Sequence, residues 1–177
     1  MKEIQFSNIR KFFYDCEFME EPGHLKLISI GVVGEQDQEY YACNSDARED
    51  FPKANPWVKS NVLPRLPAEG HSSWGDEESI RKGLMIFLHP SEDNPVELWS
   101  YFADYDHVLL CWLFGSMGNL PAGMPQYTLD LVQLMYHMDL DSGSIPRQKG
   151  EVHNALDDAK YHKHLFDYLT NQVRFGL

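Results

Sequence analysis

An apolar run near the start of the chain constrains the fold more than any other feature, because two acids interrupt it. The run is Lys11 to Met19, KFFYDCEFM, and it places Asp15 and Glu17 two residues apart. Side chains alternate between the faces of a β-strand, so both acids are expected on the face that also holds Phe13. Two like charges on a buried face need a shared proton or a cation, and a divalent metal ion suits such oxygen ligands. An Asp-x-Glu triplet also arises by chance in an acidic chain, so the triplet alone leaves the metal undecided.

Length and charge limit the functional classes. The chain has 177 residues, which predicts a single domain over 1–177 that is large enough to bury a hydrophobic core. It carries 15 Lys and Arg against 27 Asp and Glu, a net charge of −12. A surface this acidic repels nucleic acid, so a nucleic-acid function must depend on a local site where metal ions and a few cations neutralise phosphate.

Three cysteines without a CxxC pair indicate a reducing compartment and buried free thiols. The N-terminus, MKEIQFSNIR, is too polar for a signal peptide, and the longest apolar run is too short to cross a membrane. We therefore expect a cytoplasmic protein without a membrane segment.

The hydrophobic pattern predicts a sheet flanked by helices. Strands at 11–18, 24–33 and 39–43 form an antiparallel meander. A proline-rich stretch, 44–67, follows with one short helix starting at Pro56; it is a candidate substrate-side insertion, while Trp57 is expected to pack against the sheet. The later elements are a helix at 76–89, a strand at 96–102, a buried helix at 104–114, a short strand at 127–131 that runs into a helix to 140, and a helix at 155–173. This order predicts an α/β layer fold on a five-stranded sheet.

The last predicted helix carries a carboxylate on the face that packs against the sheet. At about 100° per residue, its buried stripe consists of Ala155, Ala159, His162, Phe166, Leu169 and Val173. Asp158 lies beside this stripe, where an unpaired charge is costly. Asp157 faces solvent in the first turn, with Asn154 as the N-cap. His153 lies just before the helix in a flexible loop and is free to approach whatever Asp158 helps to hold.

The junction between the fourth strand and its helix offers another acid. Asp104 is suited to be the N-cap of that helix. Asp106 shares the helical spacing of Leu109 and Leu113, so periodicity favours Asp106 as the acid that faces the interior. Four carboxylates are then directed inward, namely Asp15, Glu17, Asp106 and Asp158. Four carboxylates suit two divalent ions about 3.5–4 Å apart, as in two-metal phosphoryl chemistry, and His153 suits the base that deprotonates water.

These motifs resemble the DEDDh superfamily of 3′-to-5′ exonucleases. The first motif, D-x-E, matches Asp15-Cys16-Glu17; the second ends in an aromatic residue and Asp, as in Tyr105-Asp106; the third, H-x4-D, matches His153 to Asp158. The resemblance covers nearly the whole chain and is strongest to the small bacterial polyadenylate-specific 3′-exoribonucleases. The matching pieces are FYDCEFMEE, LKLISIGVV with EYYA, WVKSNVLPRLP, ELWSYFADYDHVLLCWLFG and VHNALDDA.

The resemblance implies a ribonuclease H-like fold, a mixed sheet that joins the antiparallel meander to parallel strands. It further implies two Mg²⁺ or Mn²⁺ ions held by the four acids, His153 as the base, a homodimer, and removal of nucleotides from single-stranded RNA 3′ ends or 3′ overhangs. In the superfamily the residues just after D-x-E wedge against the terminal base. Here these are Phe18 and Met19, although strand alternation directs Phe18 away from the acids.

Several alternatives stay open on the sequence. Arg147 and Lys149, in the loop that carries His153, are candidates for phosphate contacts, and solvated surface charges account for them equally well. A zinc site built from His153, His162 and His164 is disfavoured, because His164 faces away from the stripe and no cysteine pair supports it. The same chemistry could act on DNA, since no motif reports contacts to the 2′-hydroxyl. A non-catalytic binding module is the other class, but such a module would have no need for a costly acid cluster.

Overall fold

The structure is a computed structural model that describes residues 9–175, with side chains described up to residue 171. Most of the polar N-terminal segment that argued against a signal peptide lies outside the described residues, as does the side chain of Val173. Among the helices between residues 9 and 175, none has the length and apolar character needed to cross a bilayer.

In the part of the chain that the structure describes, a six-stranded mixed sheet forms the centre. Its strands are β1 Arg10–Glu21, β2 His24–Gly34, β3 Glu39–Asn44, β4 Trp74–Gly75, β5 Val96–Ser100 and β6 Leu129–Asp130. Their order is β4-β3-β2-β1-β5-β6, with β1, β2 and β3 antiparallel to one another and β4, β5 and β6 each parallel to its inner neighbour. The predicted α/β class is confirmed. The sheet has one strand more than predicted, because β4 has only two residues and therefore shows no alternating pattern.

Within residues 9–175, five α-helices flank this sheet. They are α1 Pro56–Asn61, α2 Glu77–Leu88, α3 Asp104–Leu113, α4 Leu131–His137 and α5 Ala155–Phe175. Side chains cap several of them: Asn55 accepts from the main-chain N–H of Val58, and Asp76 accepts from that of Ser79. Helix α5 begins as predicted, with Asn154 Oδ1 accepting from the main-chain N–H groups of residues 156 and 157.

The start of α3 differs from the prediction. Asp104 is the first residue of the helix, and the preceding Ala103 has no side chain that could cap it, so the predicted N-cap role of Asp104 is wrong. Instead, the Asp130 carboxylate accepts a hydrogen bond of 2.7 Å from the main-chain N–H of Ala103. The corner between β5 and α3 is therefore fixed from outside, by a residue at the end of β6.

The two faces of β1 pack against different helices. Phe12 and Tyr14 belong to a buried cluster with residues of α2 and α3. On the opposite face, the Phe13 ring packs against Phe166 of α5, with 5.1 Å between ring centroids. Because alternate residues of a strand share a face, Asp15 and Glu17 also point towards α5, as predicted.

Gly31 of β2 allows α5 to approach the sheet closely. It pairs directly with Asp15 across the β1–β2 ladder. A Cβ atom at this position would lie 2.3 Å from the main-chain oxygen of Ala155, far inside the distance at which two atoms can pack. The first turn of α5 therefore rests on the strand backbone, beside the first metal-ligand candidate.

Three cysteine thiols are buried and unpaired, as expected from the sequence. They belong to Cys16, Cys43 and Cys111. Cys16 lies between the two acids of β1, but its side chain points into the opposite cluster and is 5% exposed. Burial raises the pKa of this thiol well above its usual value, which keeps it in the neutral and unreactive form.

Candidate active site

Three carboxylates converge where β1 meets the first turn of α5. Asp15, Glu17 and Asp158 each offer an oxygen atom, and these oxygens all lie within 4.8 Å of one another. The first two come from alternate positions of one strand, and the third comes from a helix more than a hundred residues later in the chain. One cation can contact all three, because hard divalent cations bind carboxylate oxygens at about 2–2.6 Å.

Asp106 is buried behind this group and is not part of it. Only 5% of the residue is exposed, which agrees with the predicted inward orientation. Its carboxylate accepts hydrogen bonds from the main-chain N–H of Cys16, over 2.7 Å, and from the Ser100 hydroxyl, over 3.3 Å. Strand β5 pairs with β1 only as far as Phe13, so Asp106 satisfies a β1 amide that β5 no longer reaches.

Burying these four acids close together is electrostatically unfavourable when they are ionised. Burial, reinforced by the charges of Asp158 and Asp106, raises the pKa of Glu17 to about 8. Burial raises the pKa of Asp106 to about 7, although its hydrogen bonds act in the opposite direction. The pKa values of Asp15 and Asp158 are also raised, mainly by burial. A divalent cation would replace the protons that these groups otherwise retain, so the donor set fits a metal site.

Three of the acids, Asp15, Glu17 and Asp158, line an open cavity of about 400 Å³, here called the acid cleft, together with His153, Gln148 and Tyr101. Asp158 accepts a hydrogen bond from the Gln148 side chain. His153 has a left-handed backbone, with φ of 65°. The structure thus brings the histidine of the third motif into the same cavity as the three acids.

Sequence comparison decides the family. A family model described as the Rv2179c-like 3′-5′ exoribonuclease domain matches residues 10–170. The chain belongs to this exoribonuclease family. Two relatives from Mycobacterium tuberculosis, the 3′-5′ exoribonucleases MT2234.1 and Rv2179c, are each 38% identical over 161 residues, which is 91% of this chain and 94% of the relative.

Structural comparison agrees at the level of the fold. The Mg²⁺- and Mn²⁺-bound form of Pop2p from S. pombe has a TM-score of 0.55 and 12% identity, over 90% of this chain and 82% of Pop2p. The catalytic unit of Pan2 from Neurospora crassa has a TM-score of 0.55 and 11% identity, over 99% of this chain and 29% of Pan2. These likenesses confirm the predicted ribonuclease H-like fold.

Trp57 is not where the sequence placed it. The expectation that it packs against the sheet is wrong: the residue is 53% exposed, and its ring meets that of His153 edge to face, with 4.7 Å between centroids. Helix α1 has only six residues, and its neighbour Val58 is the one that turns into the core. In this family member, α1 therefore presents its tryptophan to His153, which lines the acid cleft.

Phe18 and Met19 do not line the acid cleft. The pairing of β1 with β2 shifts between Glu17 and Phe18, and the Phe18 ring packs edge to face on Tyr105, at 5.6 Å between centroids. Met19 is buried in a cluster with Ile28 and with Val58 of α1. Their contact with the terminal base stays a prediction.

Arg147 and Lys149 lie beside the acid cleft. They line a second cavity of about 360 Å³ together with Lys160 and His164, and it shares Gln148 and Tyr161 with the acid cleft. Positive side chains are thus gathered next to the acids on a chain of strongly negative charge.

Sequence reasoning missed the part played by His162. It was assigned to the buried stripe, and it is indeed 4% exposed. Its Nδ1 lies 3.0 Å from the main-chain oxygen of Tyr14, to which it must donate, and its Nε2 lies 3.9 Å from Oδ1 of Asp15. Burial lowers the pKa of His162 to about 4, which keeps the imidazole neutral. The available signal was its position four residues after Asp158, on the same helical face.

Arg65 was also missed. The short segment after α1 carries it, and its positive charge acts on Glu17 against the effect of burial. The main-chain oxygen of Arg65 accepts a hydrogen bond of 3.5 Å from the Asn154 side chain. No local pattern in the sequence distinguishes this arginine from a surface charge, because its proximity to the acids depends on how the proline-rich stretch packs.

Proposed function

We propose that this protein is a metal-dependent 3′-5′ exoribonuclease that removes nucleotides from single-stranded RNA 3′ ends or 3′ overhangs. The observation that carries the proposal is the group of three carboxylates within 4.8 Å, with His153 in the same cavity. Membership of the exoribonuclease family supports the reaction and its polarity. The name that the two Mycobacterium tuberculosis relatives carry, 3′-5′ exoribonuclease, supports RNA as the substrate.

We assign the metal site to Asp15, Glu17 and Asp158, with Asp106 acting through bound water because it lies behind that group. We propose two ions per site, Mg²⁺ or Mn²⁺; the oxygen donor set and the ions bound to the structurally similar Pop2p support this choice. When bound, such ions lower the pKa of a water molecule and stabilise charge that develops on the departing oxygen.

The remaining steps fall to side chains of the chain itself. His153 takes the proton from the water that attacks phosphorus. The bond from phosphorus to the 3′ oxygen of the preceding nucleotide breaks and that oxygen takes up a proton from solvent, so the products are a nucleoside 5′-monophosphate and an RNA one nucleotide shorter that ends in a 3′-hydroxyl. Gln148 holds Asp158 through its hydrogen bond, so that one carboxylate oxygen has a fixed direction. Arg147 and Lys149 contact the RNA phosphates, while Phe18 and Met19 remain candidates for the terminal base.

Three further proposals concern the protein as a whole. We propose that residues 1–177 form one catalytic domain, that it acts in the cytoplasm, and that it forms a homodimer. The matched range of 10–170 supports the first. The three buried free thiols support a reducing compartment. The dimer rests on the family resemblance.

The test is digestion of single-stranded RNA and DNA of equal sequence, labelled at either end, with Mg²⁺, with Mn²⁺ or with EDTA. Wild type is compared with Asp158→Ala. The matched control is Asp167→Asn, an acid of the same helix that pairs with Lys163 and lines neither the acid cleft nor the cavity of Arg147 and Lys149.

Stepwise ladders from 5′-labelled RNA, abolished by EDTA and by Asp158→Ala but not by the control, are expected. A ladder on DNA alone would favour an exodeoxyribonuclease. If a folded protein shortens neither nucleic acid with any metal, the catalytic proposal is wrong and the binding-module alternative gains support.

A further inference from the structure

The proposed base has little to hold its side chain. Among the side chains described, those of residues 9–171, none forms a hydrogen bond with the imidazole of His153. Its left-handed backbone, with φ of 65°, fixes where the side chain leaves the chain but not the rotation of the ring. A general base must keep its nitrogen within hydrogen-bond reach of the water, so some other group has to restrict the imidazole.

The indole of Trp57 is the group in contact with that ring. The two rings meet at an interplanar angle of 79° with 4.7 Å between centroids, which is edge-to-face geometry. Such pairs contribute about 0.5–1.5 kcal/mol and favour one relative orientation over others. Trp57 is 53% exposed, so about half of its surface faces solvent, and hydrophobic burial alone does not explain its position.

Helix α1 holds the indole in a fixed place despite its short length. Pro56 occupies the first turn, Asn55 caps it by accepting from the main-chain N–H of Val58 over 2.9 Å, and Val58 is buried. The Asn61 side chain donates to the main-chain oxygen of Trp57, also over 2.9 Å. The backbone that carries the indole is therefore anchored at both ends of its helix.

A second contact joins the segment that follows α1 to the turn that contains His153 and Asn154. The Asn154 side chain, which follows His153 directly, donates to the main-chain oxygen of Arg65. The segment from α1 to Arg65 thus touches the corner of His153 and Asn154 at two points. Asn154 is also the N-cap of α5, so this corner fixes His153 relative to Asp158.

We propose that Trp57 is a positioning residue for His153, whose imidazole it orients over the acid cleft. This inference rests on the proposed function, since it assigns Trp57 a role through the base. Loss of the indole leaves the acids and their cation intact but allows the imidazole to turn away from the water. Small errors in the placement of a reacting group reduce rates by up to about 100-fold.

The test is a double-mutant cycle with Trp57→Ala, His153→Ala and the double variant, measured by RNA degradation over a range of RNA concentrations. Trp57→Phe keeps an aromatic ring, and Ile86→Ala is the control for loss of a large exposed side chain, since Ile86 is 79% exposed on α2. We expect Trp57→Ala to reduce kcat by about 10- to 100-fold with little change in KM, Trp57→Phe to recover most of the rate, and Ile86→Ala to match wild type.

The decisive comparison is made in the His153→Ala background, which lacks the proposed general base. Once His153 is alanine, removing Trp57 should cause no further loss, because the two residues act as one unit. Mn²⁺ affinity by calorimetry should be the same in wild type and Trp57→Ala. An unchanged kcat in Trp57→Ala, or an equal loss in both backgrounds, would overturn the inference; the second result would mean that the indole contacts RNA directly.

A measurement without RNA separates this inference from the proposed function. Histidine ring signals in NMR identify His153 by their absence in His153→Ala, and the adjacent indole ring should shift them. We expect the His153 signal to move in Trp57→Ala and to broaden as the ring gains rotational freedom. An unmoved signal would overturn the contact itself. If the signal moves but wild type degrades no RNA, the contact is real and the catalytic role of both residues is wrong.

Discussion

The imidazole of His162 donates a hydrogen bond from Nδ1 to the main-chain oxygen of Tyr14, over 3.0 Å. This bond connects α5 to β1 at the residue just before Asp15. His162 also lies one helical turn after Asp158, so this contact helps to set the distance between the two elements that carry the acids. The acid group depends on a residue that contributes no carboxylate.

Replacing His162 by phenylalanine should therefore weaken both folding and metal binding. The buried oxygen of Tyr14 loses its donor, which costs about 1–3 kcal/mol. Loss of a residue that supports the metal ligands without binding the metal typically weakens metal affinity by about 10- to 100-fold. Urea unfolding and Mn²⁺ calorimetry measure the two effects. His162→Asn keeps an amide donor near the Nδ1 position and should recover part of each; equal losses in both variants would show that the hydrogen bond is not the cause.

The raised pKa of Glu17 predicts that the metal-free protein becomes less stable as pH rises. An ordinary glutamate has a pKa of 4.5, and burial raises that of Glu17 to about 8 in the folded state. Between these values the folded state holds a proton that the unfolded state has released, so rising pH favours unfolding, by at most about 1.4 kcal/mol per pH unit. The pKa of His162 is lowered from 6.5 to about 4, so rising pH makes the folded state more stable through this residue, but only below pH 6.5. The destabilising effect of Glu17 is therefore clearest between pH 6.5 and 8.

Urea unfolding in EDTA at pH 6.5 and 8 measures this effect. Glu17→Gln should remove the part of the slope that Glu17 causes and be at least as stable as wild type at pH 8, because a buried charge is gone. It should nevertheless degrade RNA orders of magnitude more slowly, since a proposed metal ligand is lost. Saturating Mn²⁺ should flatten the wild-type slope. Identical pH slopes for wild type and Glu17→Gln would contradict the assignment.

Gly31→Ala should displace α5. The added Cβ would lie 2.3 Å from the oxygen of Ala155, and main-chain atoms on both sides cannot yield locally. Overpacking of this kind costs about 1–3 kcal/mol, and Asp158 moves away from Asp15 with the helix. We expect a lower unfolding midpoint and weaker Mn²⁺ binding. Gly118→Ala is the matched control, because its nearest neighbour is at an ordinary 3.8 Å. Wild-type metal affinity in Gly31→Ala would show that α5 tolerates the displacement.

Neutralising Arg147 and Lys149 should reduce the salt dependence of RNA binding. Each phosphate contact that is lost lowers the slope of log affinity against log salt by about 0.7 for a single strand. Binding is measured by fluorescence anisotropy with the Asp158→Ala variant, which prevents degradation. Arg147→Gln with Lys149→Gln is compared with Arg81→Gln with Lys82→Gln, two cations on α2. A slope equal to that of the control pair would mean that the cations beside the acid cleft do not contact RNA.

The sequence predicted the long elements and the acids, because each has a strong periodic pattern. Strand β1 and helix α5 are long enough for alternation and helical spacing to be unambiguous, and these two place Asp15, Glu17 and Asp158 on facing surfaces. Asp106 was chosen over Asp104 by the same spacing. The N-cap of α3 was wrong by one residue, which is the usual uncertainty of a helix boundary.

The sequence did not predict contacts that depend on distant parts of the chain. The bond from His162 to Tyr14 joins residues 148 positions apart. Trp57 was expected to pack against the sheet, but a six-residue helix has few inward positions and Val58 fills one of them. Strand β4 has two residues, too few for any period to appear.

The buried thiol of Cys16 is a natural probe for the opening of the proposed metal-binding strand. It lies between Asp15 and Glu17 in sequence but on the opposite face of β1, closed off by the core on the α3 side. An alkylating reagent reaches this sulfur only when β1 separates from that core. The rate at which Cys16 is alkylated therefore records how often the strand opens, without any engineered label, and an ion that bridges β1 and α5 should slow it.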